Sequence, residues 1–260
     1  MVPFNTMNKE LIYGIHALKS RIKVHPDSIR CLYFLKGKAH TLKVQELLTL
    51  AKRKQVAFES LTKSAFNQLL QDHALSDEIV HQYVLADCVS AVKLYAEADI
   101  PRLLQARRSP PLILVLDGVH DPHNLGACIR TAEAAGVDFV IFPKDKSVGI
   151  NAVVQKVACG AAERVRLVVA TNISRVLKQL QSEGIWIVGM AGEAVQSLYE
   201  LDLRIPTALV MGIEGTGLRV GTRKACDYLA QLPMCGEVSS LNISVATGIG
   251  LYEALRQRQR

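Results

Sequence analysis

The sequence predicts an α/β protein in two parts: a small α/β unit at the amino end, then a larger unit with a mostly parallel sheet covered by helices. Three observations carry this. After about residue 111, near-continuous apolar runs alternate regularly with helix-like stretches, as parallel strands buried on both faces do. Before about residue 85 the alternation is shorter and the segment is rich in Lys, Arg and His. Between them, from about Ala91 to Pro111, the pattern weakens, and IPRLLQARRSPPL joins basic residues to a double proline, as a linker or domain edge does. A length of 260 residues allows one large domain or two modest ones. The reading taken is two: residues 8–85, a linker over 86–110, and 111–260.

In the first part, IYGIHALKSRI, IRCLYFLKG, VQELLTLAKRKQ, VAFESL and AFNQLLQD read as alternating short strands and helices. Lys52–Lys54 fall at a predicted helix end, where cations face the carbonyl pole. In the second part, LILVLDG, VDFVIFP, RVRLVVA, IWIVGMAG and TALVMG read as strands, separated by helical stretches such as GACIRTAEAAG and NISRVLKQLQSEG. The segment NISVATGIGLYEALRQRQR reads as a final helix, with Arg256, Arg258 and Arg260 in its last turn complementing the dipole.

Apolar residues make up 49% and charged residues 21% of the chain, the balance of a globular protein with a core. A net charge of +7 favours encounter with a polyanion such as RNA, DNA or an anionic membrane. The six cysteines show no zinc-knuckle or redox spacing and are expected to be reduced packing residues. The amino terminus does not read as a secretory signal, and no apolar run reaches the length of a membrane span. These features together lead to the expectation of a cytoplasmic protein without a metal site.

Ligands of parallel α/β sheets gather where strands end and loops lead into helices, and three such junctions stand out. In DGVHDPHNLGACIRTAEAAG a strand ends at Asp117 and a helix begins near Asn124, presenting Arg130 and Glu133. Asn124 suits a helix cap, and Arg130 with Glu133 suits a surface ion pair. The alternative is an anion site built from free backbone N–H groups and Arg130. In LVMGIEGTGL a strand runs into a loop with Gly212, Gly215 and Gly217 around Glu214. It is neither a Walker loop nor a dinucleotide fingerprint. In QLPMCGEVSSLNI a strand end precedes the final helix, with Ser240 and Asn242 as cap candidates.

At these segments the chain resembles the SpoU (TrmH) family of the SPOUT methyltransferase superfamily. DPHNLGACIRTAEAAGV, LVMGIEGTGL and LPMCGEVSSLNISVATGIGLYEALRQR match its three motifs in order, and PKDKSVGINAVVQKVACGAAE matches the connecting segment. IYGIHAL is similar to the opening of bacterial enzymes that methylate a guanosine 2′-hydroxyl in 23S rRNA. The resemblance implies a SPOUT-type α/β sheet domain with a carboxyl-terminal trefoil knot, S-adenosylmethionine as methyl donor and a homodimer. It implies 23S rRNA as partner, with neither membrane nor DNA. It also makes residues 8–85 a ribosomal-protein-like RNA-binding domain, with one departure, since His81-Gln82 is followed by Tyr83 where relatives often carry glycine.

Carried over by position, Gly212, Leu232 and Leu241 belong to the cofactor pocket, Leu232 replacing the usual isoleucine. Asn124, Arg130, Glu214, Ser240 and Asn242 match the polar active-site positions. The family proposal makes the motif-one arginine, here Arg130, the base. Because a guanidinium holds its proton, binding the target phosphate and stabilising the alkoxide is the competing role. The other functional readings are a tRNA 2′-O-methyltransferase, an inactive RNA-binding ribosome-assembly protein and an ordinary doubly wound nucleotide-binding enzyme.

Overall fold

The computed structural model describes residues 9–73, 81–89, 92–105, 109–213, 215–238 and 240–259. The chain divides into two compact units, Met1–Val92 and Lys93–Arg260.

The first unit contains β1 (Lys9–Tyr13), α1 (Ile15–Val24), β2 (Ile29–Leu35), α2 (Leu42–Arg53), β3 (Phe58–Leu61), α3 (Lys63–Asp72) and β4 (Val84–Val89). Its sheet runs β1-β4-β2-β3, with β4 antiparallel to both neighbours and β2 parallel to β3. The helices form where the sequence places apolar residues at helical spacing. On α1, Ile15, Leu18 and Ile22 are buried, and on α2, Val44, Leu47 and Ala51. They pack with Ile12, Leu32, Val84 and Ala86 into one core. The last turn of α2 holds Lys52 and Arg53, as expected from the dipole.

The second unit contains β5 (Leu94–Ala96), α4 (Ile100–Gln105), β6 (Leu112–Leu116), α5 (Pro122–Ala134), β7 (Phe139–Pro143), α6 (Ala152–Ala158), β8 (Arg166–Ala170) and α7 (Ile173–Ser182). It continues with β9 (Trp186–Met190), β10 (Gln196–Ser197), β11 (Thr207–Met211), α8 (Val220–Lys224), β12 (Tyr228–Gln231) and α9 (Ile243–Arg258). Its sheet is eight-stranded, β10-β12-β9-β11-β6-β7-β8-β5, and all its pairings are parallel. Strands β6, β7 and β11 are buried along their whole length, which is why they read as unbroken apolar runs. On α7, Ile173, Val176, Leu177 and Leu180 face the core.

The stretch read as a linker over 86–110 holds the end of β4, all of β5 and α4. Strand β5 is too short to stand out by periodicity, and Glu97 just after it ties it in place. That carboxylate accepts from the amides of Thr171 and Asn172, from Thr171 Oγ1 at 2.6 Å and from Arg175 Nη2 at 2.5 Å. Burial raises the Glu97 pKa, but these donors outweigh it and hold the group at about 2.

The last turn of α9 holds Arg256 and Arg258, as expected from the dipole, and both side chains also take specific partners. Arg258 donates to the carbonyls of Pro110, Pro111, Leu203 and Ile205 at 2.7–3.0 Å, and Arg256 pairs with Glu253 at 2.7 Å. Arg258 is held by tertiary carbonyls and Arg256 by a carboxylate one turn earlier on the same helix. Arg260 lies outside the described residues. Among the described residues no helix is long and apolar enough to cross a membrane. Cys88 and Cys128 are buried free thiols, whereas Cys235 is exposed and not a packing residue.

Candidate active site

Because every pairing in the large sheet is parallel, the loops after β6, β9, β11 and β12 leave one edge. The first helix of this edge, α5, starts at Pro122 behind the cap Asp121, whose carboxylate accepts the His123 amide at 2.9 Å. Asn124 is therefore not the cap. Proline at the first helical position sets the start two residues earlier, leaving Asn124 in the first turn and buried. Its Oδ1 accepts from Asn242 Nδ2 at 3.0 Å. Asn242 in turn caps α9, accepting from the Ser244 amide at 2.8 Å and Ser244 Oγ at 2.6 Å. Ser240 lies two residues before that cap and is exposed.

Helices α5 and α9 advance side by side: Cys128 Sγ donates to Thr247 Oγ1 at 3.6 Å, and Gly248 faces the Thr131 methyl. Two helix N-termini thus meet through their asparagines, bringing two positive poles to one spot.

Beside them the loop after β11 folds back on itself. Ile213 and Gly217 exchange backbone hydrogen bonds of 2.9 and 2.8 Å, and Gly215 and Gly217 take φ of 79° and 70°, which glycine adopts without steric cost. Gly212 is closed in by this turn: a Cβ there would lie 2.4 Å from Gly217 C and 2.5 Å from Leu218 N. Glu214 lies outside the described residues.

The loop is fastened to the end of β6 by a pair that sequence reasoning missed. Buried Asp117 Oδ2 accepts the Arg219 amide at 2.9 Å, with the guanidinium 3.9 Å from Oδ1. Burial pushes the Asp117 carboxyl up, against the pull of the Arg219 amide, the Thr222 hydroxyl and the guanidinium. The only sequence signal was an acid ending an apolar strand.

The cofactor candidates Gly212 and Leu232 directly follow β11 and β12, which flank β9. At the usual strand spacing they stand about 10 Å apart. Leu232 is half-buried and Leu241 is 36% exposed, so both offer apolar surface at this edge.

Arg130 points elsewhere. Six residues beyond Asn124, it is turned about 120° around the α5 axis, is exposed, and donates from Nη1 to Cys159 Sγ at 3.4 Å. The ion pair anticipated with Glu133 gives way to a contact across elements, in which Glu133 Oε1 accepts from Arg164 Nε at 2.8 Å. Within one chain, then, Asn124 and Asn242 are joined, while Arg130 occupies another face of the same helix.

The SpoU rRNA Methylase family matches residues 111–252, and the RNA 2′-O ribose methyltransferase substrate binding family matches residues 11–91. The chain is 51% identical over 249 residues to the 23S rRNA (guanosine-2′-O-)-methyltransferase RlmB of Pseudomonas aeruginosa, covering 96% of this chain and 97% of that protein. It is 48% identical over 252 residues to RlmB of Escherichia coli, covering 96% and 99%. A solved RNA 2′-O ribose methyltransferase superposes with a TM-score of 0.75 at 25% identity, over 98% of this chain and 90% of that one. For the SpoU methyltransferase AviRb of Streptomyces viridochromogenes with AdoMet the TM-score is 0.74 at 23% identity, over 96% and 91%, a likeness of fold.

Proposed function

The chain belongs to the SpoU rRNA methylase family, and on that premise we propose that it methylates the ribose 2′-hydroxyl of a guanosine in 23S rRNA, with S-adenosylmethionine as donor. The observation that carries this is the Asn124–Asn242 bond, which joins the first and third sequence motifs across two helix N-termini beside the Gly212 turn.

The residues present fit the cofactor. Closely spaced parallel strand ends leave backbone groups at Gly212, with Leu232 and Leu241 as apolar walls. The bound cofactor supplies an electrophilic methyl group. The protein contributes position: an acceptor ribose is held in line, and the paired helix poles favour the developing alkoxide. Asn124 and Asn242 orient one another, and Ser240 lies two residues before Asn242. We assign Arg130 to the target phosphate and the alkoxide charge, since a planar fork of donors suits an anion. Glu214 is assigned to orient that guanidinium.

Residues 8–85, extended by the end of β4, are the RNA-binding domain in this reading, and 111–260, joined by β5 and α4, form the catalytic domain. A homodimer accounts for Arg130 facing away from Asn124, because a partner's site then takes it. Exposed Val245 and Tyr252, seven residues apart on one face of α9, support such an interface. A trefoil knot is supported by the path of α9, which follows β12 yet packs against α5, the helix after β6.

The test is transfer of labelled methyl from S-adenosylmethionine to unmethylated 23S rRNA and, separately, to tRNA, with the product mapped. Label on one guanosine 2′-oxygen of 23S rRNA is expected. Label on tRNA alone overturns the substrate, and absence of both transfer and cofactor binding overturns the enzyme.

A further inference from the structure

In the four-stranded unit the carboxyl ends of β1, β2 and β3 and the amino end of β4 share one edge. The N-termini of α1, α2 and α3 open there, and none has an acid in its first turn, although such positions favour acids. The connections YGIH, LKGKAHTL and LTKS contain no Asp or Glu and carry Lys36, Lys38 and Lys63, and the described residues HQYV leading into β4 add no acid; Asp77 and Glu78 of the same connection lie outside the described residues. Among the described residues, three positive poles together with Lys36, Lys38 and Lys63 suit a phosphate backbone.

Within this edge Gln82 and Tyr83 both take left-handed backbone, φ 53° and 66°, a conformation that strains a bulky aromatic residue and is worth reading for function. Surrounding bonds hold it. The Tyr83 amide donates to His81 Nδ1 at 3.0 Å, Tyr83 O accepts from Leu35 N at 3.1 Å, and Gln82 Oε1 accepts from Ile15 N at 2.9 Å. Gln82 is thereby turned toward α1, while the Tyr83 side chain remains 40% exposed. Lys38 Nζ lies 4.7 Å from the Tyr83 ring centroid, and the His81 ring meets it edge-on at 5.9 Å.

We propose that Tyr83 is a stacking post for an unpaired base of the RNA substrate, with Lys38 taking the adjoining phosphate. It rests on the RNA-methyltransferase reading above but assigns a base contact at a residue where a glycine would relieve the backbone. Unpaired bases stack readily on such rings.

The experiment uses the full chain, with filter binding and methyl transfer on unmethylated 23S rRNA and tRNA transcripts. Tyr83→Gly removes ring and strain together, so folding persists. Its RNA affinity is expected to fall roughly 5- to 100-fold, the loss of one stacked base, with KM raised and kcat kept. Tyr83→Phe should bind like the parent, and Lys38→Gln should weaken binding. Parental affinity in Tyr83→Gly, or an equal loss in Tyr83→Phe, overturns the proposal. A loss seen on tRNA alone retains the post and rejects 23S rRNA as substrate. Failure of the parent to bind either RNA rejects both.

Discussion

The same arrangement, strand ends leading into helix N-termini, occurs in both units and is used oppositely. At the edge of the large parallel sheet polar side chains are tied to protein partners, Asn124 to Asn242 and Asp117 to Arg219. At the edge of the small mixed sheet the described residues of the connections carry lysines and no acid, and Tyr83 is exposed. A reacting centre requires groups held in place before substrate arrives, whereas a polyanion-binding edge needs charge more than fixed geometry.

Substitutions can break or sharpen that contrast. The largest effect is expected at Arg130: Arg130→Ala should lower methyl transfer by about 10²- to 10³-fold, the usual loss for a charge-stabilising donor, with S-adenosylmethionine affinity retained. Near-normal turnover in Arg130→Lys would count against a two-pronged phosphate contact. Gly212→Ala comes next. Its Cβ has no room against Gly217 and Leu218, so a stability loss of about 1–3 kcal/mol from overpacking is expected, together with weaker cofactor binding in calorimetry.

Glu97 tests rigidity through pH. Its folded pKa of about 2 lies below the ordinary glutamate value of 4.5, so its stabilisation is complete above about 4.5 and is lost as pH falls toward 2. Glu97→Gln should remove about 1–2 kcal/mol near neutral pH, less than the roughly 3 kcal/mol of the full shift because the exposed Arg175 is screened by solvent, and flatten acid unfolding in that window. Asn242→Ala should cost about 1 kcal/mol for the α9 cap while lowering activity more than stability. The smallest effect is expected at the open edge, where Lys36→Gln or Lys63→Gln should weaken RNA binding uniformly and reduce the log–log salt slope by roughly 0.7–0.9 each. A change in target nucleotide with either variant would show that this edge reads sequence as well as charge.

The sequence by itself determined what depends on neighbours along the chain. Buried parallel strands such as Leu112–Leu116 and Thr207–Met211 appear as apolar runs. The α7 stripe appears as helical spacing, and the positive φ at Gly215 and Gly217 suits the residue type found there. Family motifs also named the candidate site residues, whose catalytic and cofactor roles are proposals. What only tertiary structure decided are contacts across long separations. Asn242 reaches Asn124 over 118 residues, Arg219 fastens Asp117 over 102, and Glu133 takes Arg164 instead of the nearby Arg130. Side-chain partners are chosen by which acceptor lies nearest after packing, and periodicity holds no record of that choice. For the same reason the cap of α5 moved from Asn124 to Asp121: once Pro122 begins the helix, Asn124 is inside it and free to meet a helix folded back from the far end of the chain.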